Sequence, residues 1–225
     1  MRHRPNLEPR MEKCRELMQE SPESMKGRWH GDFSKLYLEL GCGKGRFTAD
    51  LAASERGTRL VALEKVPDAM IIAMERVRQK ELDNVIFIDG DAAMIKDYFE
   101  DGEVDRLFIN FCDPWIKSRD AKYRLTGPAF LRRYADILPE GGEIHFKTDN
   151  DALFKWSLAQ FEEENWELSD ISNDYKSEFM TDYEAKFTAE GVKINHLVAA
   201  KKADTKSTKD GEVPRLKNAG LKDLI

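Results

Sequence analysis

The chain is poor in the residues that build metal and disulfide sites. It has three cysteines, Cys14, Cys42 and Cys112, and four histidines, His3, His30, His145 and His196. Cysteines odd in number and far apart give neither a disulfide framework nor paired thiolate ligands. The histidines form no HxxxH or HxxE spacing, so no metal site is expected. No apolar run approaches the ~20 residues of a membrane span. The opening MRHRPNLEPRMEKC is basic, but no apolar stretch follows it, so a secretory leader is not expected and a cytoplasmic location is. No internal repeat is present. Two phosphate-binding signatures are missing as well: G-x-G-x-x-G, and a P-loop ending in GK[ST].

What is present is an uneven charge distribution. The net charge is −6, yet residues 1–15 and 201–225 each carry +3, leaving −12 for the residues between. Basic ends on an acidic body are compatible with contact to a polyanion, and equally with solvated termini. Strand-like runs fall at residues 35–40, 58–64, 84–91, 104–111, 142–149, 166–172 and 193–201. Helical spacing fills 46–53, 67–80, 126–138 and 151–164, with Thr126 and Asn150 as candidate caps. Repeated β–α–β–α indicates an α/β, Rossmann-like sheet with helices on both faces. The last two strands have no helix after them, which fits a closing antiparallel strand. The loop 173–192 between them is expected to be partly helical. The organisation expected is a basic N-terminal segment over 1–34, one domain over 35–201 and a flexible tail over 202–225.

In an open α/β sheet the ligand lies beyond the carboxyl ends of the strands. The first strand ends in LYLELGCGKGRF, where Glu39 precedes glycines at 41, 43 and 45. A carboxylate ~4 Å from a phosphate charge is repelled by roughly 4 kcal/mol at an effective dielectric near 20, and a cation is attracted by a similar amount. S-adenosylmethionine has a sulfonium and an ammonium and no phosphate, so Glu39, Gly41 and Gly43 favour it. Glu64 ends the second strand, 23 residues after Gly41, where a ribose-hydroxyl acceptor is expected. Asp91 ends the third, and its carboxylate with the Ala92 amide suits the adenine edge. Each acid alone is a common strand-end residue. Three in order make the adenosyl-nucleoside reading the stronger one.

The fourth strand runs into NFCDPWIKSRDAKYRLT. With ELGCGKG, LEK, FKTDN and TDYEAKF, this stretch resembles the bacterial tRNA (guanine-N7-)-methyltransferase family over roughly residues 37 to 200. The resemblance implies a class I methyltransferase fold, a seven-stranded sheet of order 3-2-1-4-5-7-6. It also implies methyl transfer from S-adenosylmethionine to N7 of guanine 46 in the tRNA variable loop, giving N7-methylguanosine. Asp113 is then the catalytic residue and a cofactor neighbour. Lys117, Asp149, Thr181, Asp182, Tyr183 and Glu184 are substrate contacts. Arg119, Asp120, Ala121, Lys122, Tyr123 and Arg124 form an RNA-facing cluster with Trp115 interleaved. From the bare residues, Asp-Pro is also a turn opener and TDYE also a capping box. The chain departs from the family pattern at Ile116 (usually proline), Asp120 (often histidine) and Tyr123 (often basic). A homodimer is compatible with the resemblance. The rival readings are a methyltransferase with another substrate, an RNA-binding module without catalysis, and a dehydrogenase, the last weakened by Glu39 and the glycine spacing.

Overall fold

A computed structural model describes residues 6–210 of the chain. Seven strands form one sheet of order β3-β2-β1-β4-β5-β7-β6. They are β1 (Lys35–Leu40), β2 (Thr58–Glu64), β3 (Val85–Asp89), β4 (Arg106–Asn110), β5 (Glu143–Thr148), β6 (Glu167–Ser172) and β7 (Asn195–Ala200). The first five pair in parallel, and β7 runs antiparallel to both of its neighbours. The helices are α1 (Leu7–Lys13), α2 (Arg46–Ser54), α3 (Pro67–Gln79), α4 (Ile95–Tyr98), α5 (Pro128–Ile137), α6 (Asp151–Glu163) and α7 (Asp182–Ala189). None is long and apolar enough to cross a membrane.

Period-2 alternation sorts β1 onto two cores. Leu36, Leu38 and Leu40 point to the face covered by α4, α5 and α6. Tyr37 joins the opposite face with α2 and α3, which places Glu39 on that face too. On this second face α2 reaches β4, where the Phe47 ring lies 5.1 Å from that of Phe108. The segment 173–181 extends the cover over β5 and β7, with Lys147 Nζ donating to the Phe179 carbonyl and Tyr175 stacked on His196 at 3.9 Å.

Local chemistry explains the helix starts. Gly45 precedes α2 at φ +72°, and a Cβ there would stand 2.4 Å from that of Ala73, so only glycine fits. Pro67 and Pro128 occupy first turns. Asn150 Oδ1 accepts from Leu153 N at 2.8 Å, as its capping position suggests. Thr126 does not cap α5. Its hydroxyl is buried against Ser157 Oγ at 2.7 Å, and Gly127 takes the cap position.

Both flanking segments are tied to the body where the structure describes them. Trp29 is buried and its indole N–H donates to the Tyr98 carbonyl at 2.8 Å. Arg10 forks onto Glu75. After β7, Thr205 Oγ1 donates to the Asn165 carbonyl at 2.9 Å, and the Thr208 amide donates to Asp136. The first part of the tail expected over 202–225 thus makes contacts with the body. Residues 211–225, and the first five residues, lie outside the described residues.

Candidate active site

The four acids singled out in the sequence lie at or just past the C-terminal ends of four adjacent strands, β3, β2, β1 and β4. Asp91 stands two residues beyond β3, and Asp113 three residues beyond β4. At a strand spacing of roughly 4.8 Å this row spans about 14 Å, the length of a nucleoside with an extended substituent.

Four amides of the glycine turn are hydrogen-bonded within the protein. The amides of Gly41 and Cys42 donate to the Leu63 carbonyl, that of Gly45 to the Cys42 carbonyl, and that of Gly43 to Glu64 Oε2 at 2.8 Å. No nest of free amides is left for a phosphate at these positions. Gly41 and Gly43 lie at φ +75° and +56°, with open space where a Cβ would stand. A ligand can therefore approach this backbone closely.

Glu39 is buried. Its Oε2 accepts from Thr48 Oγ1 at 2.6 Å and its Oε1 from Asn110 Nδ2 at 3.2 Å. Burial raises its pKa to about 7, against the pull of Thr48, Asn110 and Lys147. The unfolded chain loses this proton near the ordinary value of 4.5, the folded chain only near 7. Between these values the unfolded state binds fewer protons, so this residue makes stability fall as pH rises, by about 3 kcal/mol in all. Glu39→Gln is expected to remove that slope. Urea midpoints at pH 5 and pH 8 measure it, and an unchanged slope in the variant would refute the assignment.

Glu64 accepts from the amides of Gly43, Lys65 and Val66, so its carboxylate braces the turn that it faces. Asp91 Oδ1 accepts from the Ala93 amide and caps the short turn that contains Ala92. Asp113 is exposed and carries no side-chain partner among the described residues.

The substrate residues implied by the resemblance divide by environment. Lys117 is exposed. Asp149 is half-buried and Tyr183 Oη donates to it at 3.3 Å, while the Tyr183 ring lies 5.3 Å from Phe111, two residues before Asp113. The ends of β4 and β5 and the start of α7 therefore converge. Thr181 and Glu184 form the capping box of α7. Asp182 is forked by Arg76 at 2.8 and 2.9 Å. Glu184 is buried, where Lys147 Nζ donates to its Oε2 at 2.7 Å and Ser177 Oγ to its Oε1. Lys147 also donates to Ser177 Oγ and the Phe179 carbonyl, and burial lowers its pKa. Glu184 is thus enclosed by protein, where the sequence suggested a group facing substrate.

In the basic stretch, Lys117, Arg119 and Lys122 are exposed, while Asp120, Ala121, Tyr123 and Arg124 are half-buried. Asp120 sits 3.8 Å from the Arg119 guanidinium. Arg124 is turned away from the exposed cluster. Its Nε and Nη2 donate to the carbonyls of Pro114 and Trp115 at 2.9 and 3.0 Å, and its guanidinium lies over Trp156 at 4.4 Å. The Nε and Nη2 donors that could fork onto a phosphate are thus occupied by the loop's own carbonyls. Trp115, at φ +42°, packs on Tyr123 at 5.2 Å.

Sequence reading missed Asn110, Lys147 and Thr48. Asn110 pairs with Lys147 across β4 and β5, on the face that carries Glu39, so a polar row crosses the sheet from the glycine turn toward α7. Asn110 Oδ1 is buried without a partner. The available signal was an Asn and a Lys in otherwise apolar strands, FINF and HFKT. Nearby, a cavity of about 220 Å³ is lined by Asn110, Lys147, His145, Tyr175 and His196, and burial pushes the His145 pKa down to about 4.

The chain is similar in sequence and in fold to known proteins. A family model described as a putative methyltransferase matches residues 34–197. A protein of Listeria monocytogenes serovar 1/2a (strain EGD-e), named tRNA (guanine-N(7)-)-methyltransferase, is 36% identical over 88% of this chain and 97% of its own. One of the same name from Halalkalibacterium halodurans is 40% identical over 80% of this chain and 85% of its own. Among solved structures, an antibiotic-related methyltransferase superposes with a TM-score of 0.60 at 19% identity, covering 80% of this chain and 94% of that one. A 16S rRNA methyltransferase does so with a TM-score of 0.60 at 14% identity, covering 78% and 92%. Those two likenesses speak to the fold, a class I methyltransferase sheet. The identity over nearly the whole length of the relatives speaks to more: the chain belongs to the tRNA (guanine-N(7)-)-methyltransferase family.

Proposed function

We propose that the protein transfers the methyl group of S-adenosylmethionine to N7 of guanine 46 in the variable loop of tRNA, in the cytoplasm. The observation that carries this reading is identity of 36–40% to tRNA (guanine-N(7)-)-methyltransferases over most of the chain, with the four acids aligned along one sheet edge.

The residues suit the cofactor. The open space over Gly41 and Gly43 admits it, the satisfied turn amides leave no preference for phosphate, and the ionised form of Glu39 favours a cation. Glu64 would hold the ribose and Asp91 with Ala92 the adenine edge. When bound, adenosylmethionine supplies an electrophilic methyl on a sulfonium.

Guanine N7 has a free lone pair and no proton, so the protein needs no general base. Its task is to hold the base in line and to offset the positive charge that develops on it. In this reading the Asp113 carboxylate accepts from the N–H edge of the guanine and supplies the negative charge. Lys117 meets the guanine carbonyl or a phosphate, and Arg119 and Lys122 meet backbone phosphates. Asp149 and Tyr183 wall the base pocket. Thr181, Asp182 and Glu184 act by fixing the start of α7, and Arg124 by fixing the Asp113 loop.

The test uses labelled adenosylmethionine with unmodified tRNA carrying guanine or adenine at position 46. N7-methylguanosine, identified by mass spectrometry, is expected on the first RNA alone. Cofactor binding without methylation of either would keep the fold and reject the substrate.

A further inference from the structure

We infer that Ile116 is a wedge that enters the RNA stack as the target guanine leaves it. This rests on the functional reading above and adds a residue to it. Ile116 is 83% exposed, the most exposed of the large apolar side chains among the described residues. It lies three residues after Asp113, so their Cα atoms are at most about 11 Å apart.

The loop does not leave Ile116 exposed through slackness. Arg124 pins the carbonyls of the two residues before it, Pro114 and Trp115. Trp115 is held in a left-handed conformation that a bulky residue adopts only where its surroundings enforce it. The Trp115 ring would otherwise be the natural surface for stacking on a base, but it is committed to Tyr123. The turn that folds Trp115 inward points its neighbour out. Exposed Lys117, Ser118 and Arg119 follow directly, so the tip presents one aliphatic side chain beside cations suited to phosphates.

That combination matches what extrusion of a base requires. An enzyme acting on a base must take it out of its stack, and an apolar side chain placed between base steps fills the gap. A branched aliphatic group has the thickness for this and makes no hydrogen bond that would favour one neighbouring base. The occupant of this tip is therefore RNA next to the target nucleotide.

The experiment compares wild type, Ile116→Gly and Ile116→Leu on two substrates. One is the tRNA with guanine 46. The other is the same tRNA with an abasic nucleotide beside guanine 46, where the stack is already broken. Cofactor affinity and Tm are measured for each protein. Ile116→Gly is expected to lower kcat about tenfold or more on the intact tRNA and little on the abasic one, with cofactor affinity and Tm unchanged. Ile116→Leu is expected to restore most of the rate. A fluorescent adenine analogue beside the target should brighten on binding wild type and less on binding Ile116→Gly. Equal rates for wild type and Ile116→Gly on intact tRNA would overturn the inference. An equal loss on both substrates would also overturn it, assigning Ile116 to loop shape. If wild type methylates neither RNA, the functional reading fails first and takes the wedge with it.

Discussion

Asp113→Asn is expected to lower kcat for guanine methylation by about 10²-fold or more while the protein stays folded. The variant keeps one acceptor oxygen, replaces the other by an NH2 donor and removes the negative charge. The reaction creates a cation on a base that starts neutral, so a fixed charge beside it is worth more in the transition state than in the ground state. Removing one such preorganised group typically costs 10² to 10³ in kcat. The side chain is exposed and has no partner among the described residues, so stability should move by no more than about 0.5 kcal/mol. Single-turnover rates with saturating cofactor and tRNA, set beside thermal melts, make the comparison. A rate within threefold of wild type would remove Asp113 from the chemistry and leave it a turn residue before Pro114.

Lys147→Met is expected to be the most destabilising single change in the site. Lys147 and Glu184 form an ion pair at 2.7 Å, with only 6% and 1% of their side chains exposed. Deleting the lysine strands a buried carboxylate, and breaking a buried pair from one side costs about 3–5 kcal/mol. For a chain of this size that corresponds to a fall in Tm of roughly 10 °C. The variant also frees the Phe179 carbonyl and the start of α7, so tRNA methylation should fall with it.

A second variant separates stability from function. Lys147→Met with Glu184→Leu replaces both charges by apolar groups, and such replacements of buried pairs are often neutral. The double variant relieves the stranded carboxylate and should recover part of the lost Tm. The Thr181 amide and the Phe179 carbonyl lose their side-chain partners in it, so if Glu184 acts only by anchoring α7, methylation should recover only in step with Tm. A stable but inactive double variant would instead return Glu184 to direct contact with the substrate.

These experiments bear on different links of one chain of causes. Asp113 tests the chemistry at the strand edge. Lys147 tests the buried support that brings α7 beside it, through Tyr183 and Asp149. The pH slope at Glu39 tests whether the acid before the glycine turn is as enclosed as its contacts with Thr48 and Asn110 indicate.

The sequence by itself determined the strand succession, the glycine turn and the order of the acids. Each is written in a few adjacent residues: period-2 apolar runs, glycines at positive φ, and a carboxylate where a strand stops. The helix caps at Asn150 and Thr181 were legible for the same reason, since a cap reaches only three residues ahead. Strand order came from family resemblance, because no local pattern encodes which strands become neighbours. Only the tertiary structure decided which polar side chains are engaged by distant parts of the chain in holding the fold. Arg124 reads as one more RNA-binding cation until it is seen to grip two carbonyls nine and ten residues back. Glu184 reads as a substrate contact until Lys147, 37 residues away, closes over it. Asp182 reads likewise until Arg76 arrives from 106 residues upstream. The helical tendency of the short α1 and α4 is equally weak in isolation, because a single turn is stable only where packing supports it. A charged side chain states what it can bind. Whether it is free to bind depends on partners distant in sequence, and those are chosen by the packing of the whole chain.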